Sequence, residues 1–182
     1  MIIWINGAFG IGKSTAAELL HFQIENSHIY DPEQVGYFLW DNFPEVMKRK
    51  GDFQDIKIWR SMNYEIIKHM YENYDGTIII PMTITNLDYY NEIIGRLMDN
   101  QIEIYHFILK ADKDSIKERL INRGEEENSW PEQQIDRCIQ AFENMSGIKI
   151  DTSKFSSKDT NKAILKHLRK IISEKNKINI KV

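Results

Sequence analysis

The sequence predicts a three-layer α/β domain built on a parallel sheet, and two observations carry that reading. Five short apolar runs, MIIWIN, HIYD, TIII, EIYHFIL and IKI, alternate with stretches of helical periodicity along the 182 residues. Between the first run and the first helix lies Gly7 to Thr15, GAFGIGKST, which fits the spacing G-x-x-x-x-G-K-S/T. At average residue usage a chain of this length shows that spacing by accident on the order of 1% of the time. The strand before it and the helix after it lower that figure further, so the segment reads as a phosphate-binding loop.

Each element has a local reason. Met1 to Asn6 is apolar nearly throughout, as a strand buried on both faces must be. Lys13 to Gln23 carries Ala16, Ala17, Leu19, Leu20 and Phe22 without glycine or proline, and reads as a helix. His28 to Asp31 is the second strand, stopped by Pro32, which suits the first turn of a helix through Val35, Phe38 and Leu39. Pro44, Gly51 and the basic MKRK patch mark a pause, and Phe53 to Tyr74 reads as the longest helix. Thr77 to Ile80 is the third strand. Pairing is expected to stop there because Pro81 has no amide to donate, leaving PMTIT as the loop beyond. Asn86 precedes a helix through Ile93, Ile94 and Leu97. Glu103 to Leu109 is the fourth strand, and Asp112 caps a helix to Arg123. GEEENS is a polar break before a helix from Trp130 or Pro131 to Met145. Ile148 to Ile150 is the fifth strand, and Asp159 to Glu174 an amphipathic last helix.

Composition narrows the function classes. With 42% hydrophobic and 28% charged residues the chain is expected to fold as one domain over residues 1–182. A net charge of -3 gives no case for nucleic acid as a partner. Cys138 is the single cysteine, and the five histidines lack ligand spacing, so neither a disulfide framework nor a zinc site is supported. No signal peptide and no apolar run of about 20 residues is present, which predicts a cytoplasmic protein with at most a peripheral membrane contact.

The loop chemistry points to ATP and Mg²⁺. Glycines at 7, 10 and 12 let the amides from Gly7 through Ala8, Phe9, Gly10, Ile11, Gly12, Lys13, Ser14 and Thr15 turn inward on phosphate oxygens. The helix that follows adds its positive end. Lys13 reaches the β and γ phosphates, and the Ser14 hydroxyl can ligate Mg²⁺.

Ligands of parallel sheets bind at the carboxyl ends of the strands, which makes Asn6 to Ser14, Asp31, Pro81 to Thr85, Lys110 to Asp112 and Asp151 to Ser153 the shortlist. Asp31 is the candidate general base or Mg²⁺ contact. Against that stands a purely local use, turning the chain at Asp-Pro. Arg119 and Arg123 share one helix face, and Arg137 lies beyond the polar break. Their guanidinium groups suit phosphate, and the segment from about 119 to 137 reads as a lid. The third strand ends in Pro81 rather than the acidic residue expected of a motor ATPase or a Ras-type GTPase, which favours a small-molecule kinase. Arg60 and Arg96 could bind an anionic part of the acceptor, and Trp40, Trp59, Tyr64, Tyr89 and Tyr90 could stack on a ring or sugar, but each is read first as packing.

The order of phosphate loop, second-strand Asp, arginine-bearing lid and late IDTS loop resembles the P-loop kinases of small molecules, including nucleoside monophosphate kinases, shikimate kinase and chloramphenicol phosphotransferase. WINGAFGIGKS, YDPEQVG, DFQDIKIWRSMNY, PMTI, YYNEIIGRL and SWPEQQIDRC, between residues 4 and 138, more specifically resemble the tunicamycin-resistance ATP-binding proteins of bacteria. The resemblance implies a P-loop NTPase fold with strand order 2-3-1-4-5. It also implies Arg119 over the adenine, Arg123 and Arg137 on phosphates, and Asp151, Thr152 and Ser153 bordering the base. The acidic run Glu125 to Glu127 departs from the kinase lids. Three functions stay open at this level: γ-phosphate transfer to a hydroxyl of a small molecule or antibiotic, ATP-dependent capture of a drug such as tunicamycin without chemistry, and a housekeeping nucleotide kinase.

Overall fold

The structure, a computed structural model, describes residues 1–48 and 52–178, so Arg49, Lys50 and Gly51 of the predicted pause lie outside the described residues. Five strands, β1 (Ile2–Gly7), β2 (Ser27–Ile29), β3 (Thr77–Pro81), β4 (Ile104–Lys110) and β5 (Ile148–Asp151), form one parallel sheet in the order β2-β3-β1-β4-β5. The central strand β1 is buried at every position, the physical cause of its unbroken apolar run.

The helices are α1 (Lys13–Gln23), α2 (Glu33–Asn42), α3 (Lys57–Asn73), α4 (Leu87–Tyr90), α5 (Arg96–Asp99), α6 (Lys113–Ile121), α7 (Trp130–Gln133), α8 (Ile135–Asn144) and α9 (Ser157–Ile178). Strand side chains alternate between faces, so β1 feeds two cores. Ile3 and Ile5 pack with Leu20 of α1, Ile116 of α6, Phe142 of α8 and Ile164 of α9. Ile2 and Trp4 pack with Leu39 of α2, Trp59 and Ile67 of α3 and Leu97 of α5. Helices therefore cover both faces, which is the predicted three-layer arrangement.

Several boundaries differ from the sequence reading. Pro81 belongs to β3, in register with Ile5. The next amide, of Met82, donates to the Ile5 carbonyl at 3.1 Å. Successive amides alternate sides, so the Pro81 nitrogen faces the β2 side, where β2 has already ended at Ile29. No ladder bond is lost there. The run from Phe53 begins as a 3-10 turn, Phe53–Asp55, capped by Asp52, and Ile56 is extended before α3 starts. At 17 residues α3 is shorter than α9, which has 22. Asn86 does cap the next helix, accepting from the amides of Asp88 and Tyr89. Between α4 and α5, however, Asn91–Gly95 is a π-helical turn. Its wider turn accompanies the complete burial of Ile93, Ile94 and Leu97.

Candidate active site

The site grows from the end of β1. Asn6 is fully buried. Its Oδ1 accepts from the amides of Gly7 and Ile84, both at 2.9 Å, and its Nδ2 donates to the Ile84 carbonyl at 2.9 Å. The Thr83 hydroxyl donates to the Gly7 carbonyl at 2.8 Å. The PMTIT loop is thus stitched to the root of the phosphate loop by side chains that the sequence reading chose only for their position.

Two glycines are required for different reasons. Gly10 has φ +78 and a Cβ there would stand 2.6 Å from the Leu120 side chain, whereas Gly12 has open space but φ +103. Gly12 precedes α1 with no side-chain cap, so the first-turn amides remain available to an anion. Lys13 is half-buried and its Nζ donates to the carbonyls of Gly7 at 3.1 Å and Ala8 at 3.0 Å. Burial, helped by the Arg123 charge, pushes its ammonium down to about 8 against the pull of Cys138 and Glu33.

Ser14 is exposed on the first turn of α1 and shares a cavity of about 380 Å³ with Lys13, Asp31, Glu33 and Arg123. Asp31 Oδ1 accepts from the Glu33 amide at 3.0 Å and Oδ2 from Gln34 Nε2 at 3.1 Å. The local role weighed for Asp31 is therefore real, and the same carboxylate also borders the phosphate loop. Among the described residues no group of three or more His, Cys, Asp or Glu can hold a metal ion. The oxygen donors of Ser14 and Asp31 fit an ion such as Mg²⁺, which keeps much of its shell from water and phosphate.

On the other side of the loop a cavity of about 390 Å³ is bordered by Gly12, Thr15, Arg119 and Arg123 and closed by Phe155, Ser156 and Thr160 at the start of α9. Arg119 donates to the Thr152 carbonyl, to Thr152 Oγ1 at 3.2 Å and to the Ile11 carbonyl at 3.4 Å. Thr152 is buried, and Ser153 Oγ accepts from the Asp112 amide at 3.1 Å while bonding to Asp151. Asp151, Thr152 and Ser153 accordingly stand behind this cavity, holding Arg119 and the start of α6. The wall itself comes from residues 155–160, which the sequence reading passed over.

Arg123 is exposed and borders both of these cavities. Arg137 is exposed on α8, and its charge is felt at Asp52. The ion pairs of this region use lysines, Lys113 with Asp136 and Lys117 with Glu132, both at 2.7 Å. Trp130 of α7 meets the Phe9 ring edge-on at 4.9 Å, connecting the segment after the polar break to the phosphate loop.

A third cavity, about 690 Å³, opens between α2, the 3-10 turn at Phe53 and α7. Its walls include Tyr37, Trp40, Phe53 and Trp130, and three carboxylates reach it, Glu33, Asp52 and Glu125. Glu33 borders both this cavity and the one beside Lys13. Burial and Asp31 push the Glu33 carboxyl above its ordinary range, and burial and Asp55 do the same for Asp52. Glu33 and Asp52 are the residues the sequence reading missed. The one available signal was the D-P-E spacing, which puts a second carboxylate at the opening turn of the helix after β2. Of the other candidates Trp40 lines this cavity, whereas Trp59, Arg60 and Arg96 have packing partners. Trp59 Nε1 donates to the Pro32 carbonyl at 3.0 Å, Arg60 pairs with Glu92 at 2.7 Å, and Arg96 lies 3.7 Å over the Tyr64 ring.

No family model matches the chain, and no curated protein matches it significantly. Solved structures do. A sugar kinase from Janibacter sp. superposes with TM-score 0.65 at 17% identity, covering 92% of this chain and 94% of that one. Shikimate kinase from Aquifex aeolicus superposes with TM-score 0.55 at 19% identity, covering 94% and 98%. The chain has the P-loop kinase fold. The tunicamycin resistance protein of Deinococcus radiodurans superposes with TM-score 0.78 at 26% identity, covering 92% of this chain and 94% of that one. The resemblance to the tunicamycin-resistance proteins read from six segments thus extends through the fold.

Proposed function

We propose that the protein is an ATP-dependent phosphotransferase that passes the γ phosphate to a hydroxyl of a small molecule. The observation that carries this reading is Glu33, one carboxylate bordering both the cavity beside Lys13 and Ser14 and the large aromatic cavity beyond it. A polyphosphate on the loop amides meets Lys13, which gives up its carbonyl partners for phosphate oxygens. The adenosine end enters the cavity beside Arg119 and α9, and Arg123 stands where transferring oxygens crowd. Residues 119–137 act as the lid, with Arg137 on its far side. Ser14 and Asp31 would hold Mg²⁺, which would neutralise charge on the phosphates.

Transfer forms a bond between the acceptor oxygen and the γ phosphorus and breaks the bond to the bridging oxygen, whose electron pair leaves with ADP. The hydroxyl proton goes to Glu33, whose raised proton affinity suits a general base. Asp31, with both oxygens engaged at the start of α2, holds the Glu33 backbone in position and would contact the metal.

The test is mass spectrometry after incubation with ATP, Mg²⁺ and an acceptor panel that includes tunicamycin. A gain of one phosphoryl group on an acceptor is expected, and no transfer to any panel member by protein that binds ATP sinks the reading for those acceptors. The competing reading, drug capture without chemistry, draws support from the tunicamycin-resistance neighbour. It predicts that Glu33→Gln still binds and retains the drug in the ATP-loaded state.

A further inference from the structure

The cavity proposed for the acceptor is acidic and aromatic. Glu33, Asp52 and Glu125 reach it, and among the described residues no lysine or arginine lines it. The nearest buried guanidinium, Arg60, is consumed by Glu92 and by the Gln54 carbonyl behind the wall. Among the described residues, two cations are felt by its carboxylates. Lys13 is felt at Glu33 and Arg137 at Asp52. A bound polyphosphate engages Lys13 and leaves Glu33 with less compensation than before.

An anionic acceptor would meet carboxylates, with no facing fork among the described residues to hold it, and would lie beside the phosphates as well. A cation meets the reverse. Asp52, whose two oxygens accept from the Gln54 amide at 3.0 Å and Gln54 Nε2 at 3.1 Å, keeps lone pairs for an ammonium whose charge would offset the cost of its own. The rings give the cation π faces. Trp40 and Phe53 lie 5.3 Å apart, Tyr37 stands 6.3 Å from Trp40, and Trp130 closes the opposite side. The volume of about 690 Å³ admits a molecule of one or two sugar rings.

Resting on the phosphotransferase reading, we infer that the acceptor is a hydroxyl-bearing amine, an amino sugar or amino alcohol that binds as a cation, its ammonium at Asp52 among the rings and its hydroxyl at Glu33. Carboxylate and aromatic wall then select by charge, and Glu33 acts on the hydroxyl that this pose presents.

The test uses the full chain loaded with a non-hydrolysable ATP analogue and reads binding by calorimetry, so that it does not depend on turnover. The probes are fully deacetylated chitobiose, its N,N′-diacetyl form with the same rings and no ammonium, and glucose 6-phosphate. The free-amine form is expected to bind at least about tenfold tighter than the diacetyl form, with Asp52→Asn reducing the preference to about twofold. Glu33→Gln is measured in parallel, so that a misfolded Asp52 variant cannot hide the answer, and is expected to reduce the preference less. Equal or weaker binding of the amine form, tighter binding of glucose 6-phosphate, or no amine binding at millimolar concentration overturns the inference. Loss of analogue binding itself would instead overturn the ATP reading, and is measured first.

Discussion

The phosphate loop separates two cavities of opposite character. On the α9 side Arg119 and Arg123 share a cavity with the hydroxyls of Ser156 and Thr160, and the loop amides add positive potential. On the α2 side Glu33 and Asp52 sit among aromatic rings with their carboxyls pushed up by burial. The first environment stabilises negative charge that arrives with the ligand. The second makes its own negative charge costly, which raises proton affinity. Lys13 lies on the boundary, tied at rest to two loop carbonyls and pushed down to about 8.

That contrast can be broken at single positions. Glu33→Gln should lower turnover by about 1000-fold while ATP affinity stays within about threefold, as expected for loss of a general base. The wild-type rate should rise with pH through a step above the ordinary carboxylate range, because the group is active only when deprotonated and its proton is held more tightly than usual. The step should vanish in the variant, and a step that persists assigns the base elsewhere. Lys13→Ala acts on the other side of the boundary. ATP affinity should fall by about 100-fold, or about 3 kcal/mol, in calorimetry on protein with an unchanged circular dichroism spectrum.

Asn6→Ala tests the seam between the cavities. Four buried hydrogen bonds are lost, one of them a weak one to Met145 Sδ and two leaving the Ile84 amide and carbonyl unpartnered, so denaturant unfolding should show a loss of about 2 kcal/mol. A variant as stable as the parent would mean the PMTIT loop does not depend on this stitch. The smallest effect sharpens the nucleotide side alone. Arg119→Ala should weaken ATP about tenfold and leave acceptor affinity unchanged, since its partners are Thr152 and the Ile11 carbonyl rather than any group of the acceptor cavity.

The same division separates what could be read along the chain from what could not. The loop was legible because its chemistry is contiguous: glycine, lysine and serine at fixed spacing need no distant partner to be recognised. The helix cap at Asp112 was legible for the same reason, its carboxylate meeting the Ser115 amide three residues on at 2.8 Å. Pro81 misled because whether a missing amide matters depends on which neighbouring strand it faces, and that is a property of the sheet.

By itself the sequence determined the parallel α/β architecture, the phosphate loop and the lysine and hydroxyl it presents, since periodicity and short-range spacing are written in adjacent residues. Only the tertiary structure decided that Glu33 joins two cavities, that Asp52 lines one of them from a turn 19 residues later, and that Phe155 to Thr160 close the cavity beside Arg119. A carboxylate's role depends on what it is buried against, and its neighbours here arrive from α2, from the turn before α3 and from α7, segments brought together only when the helices pack on the sheet.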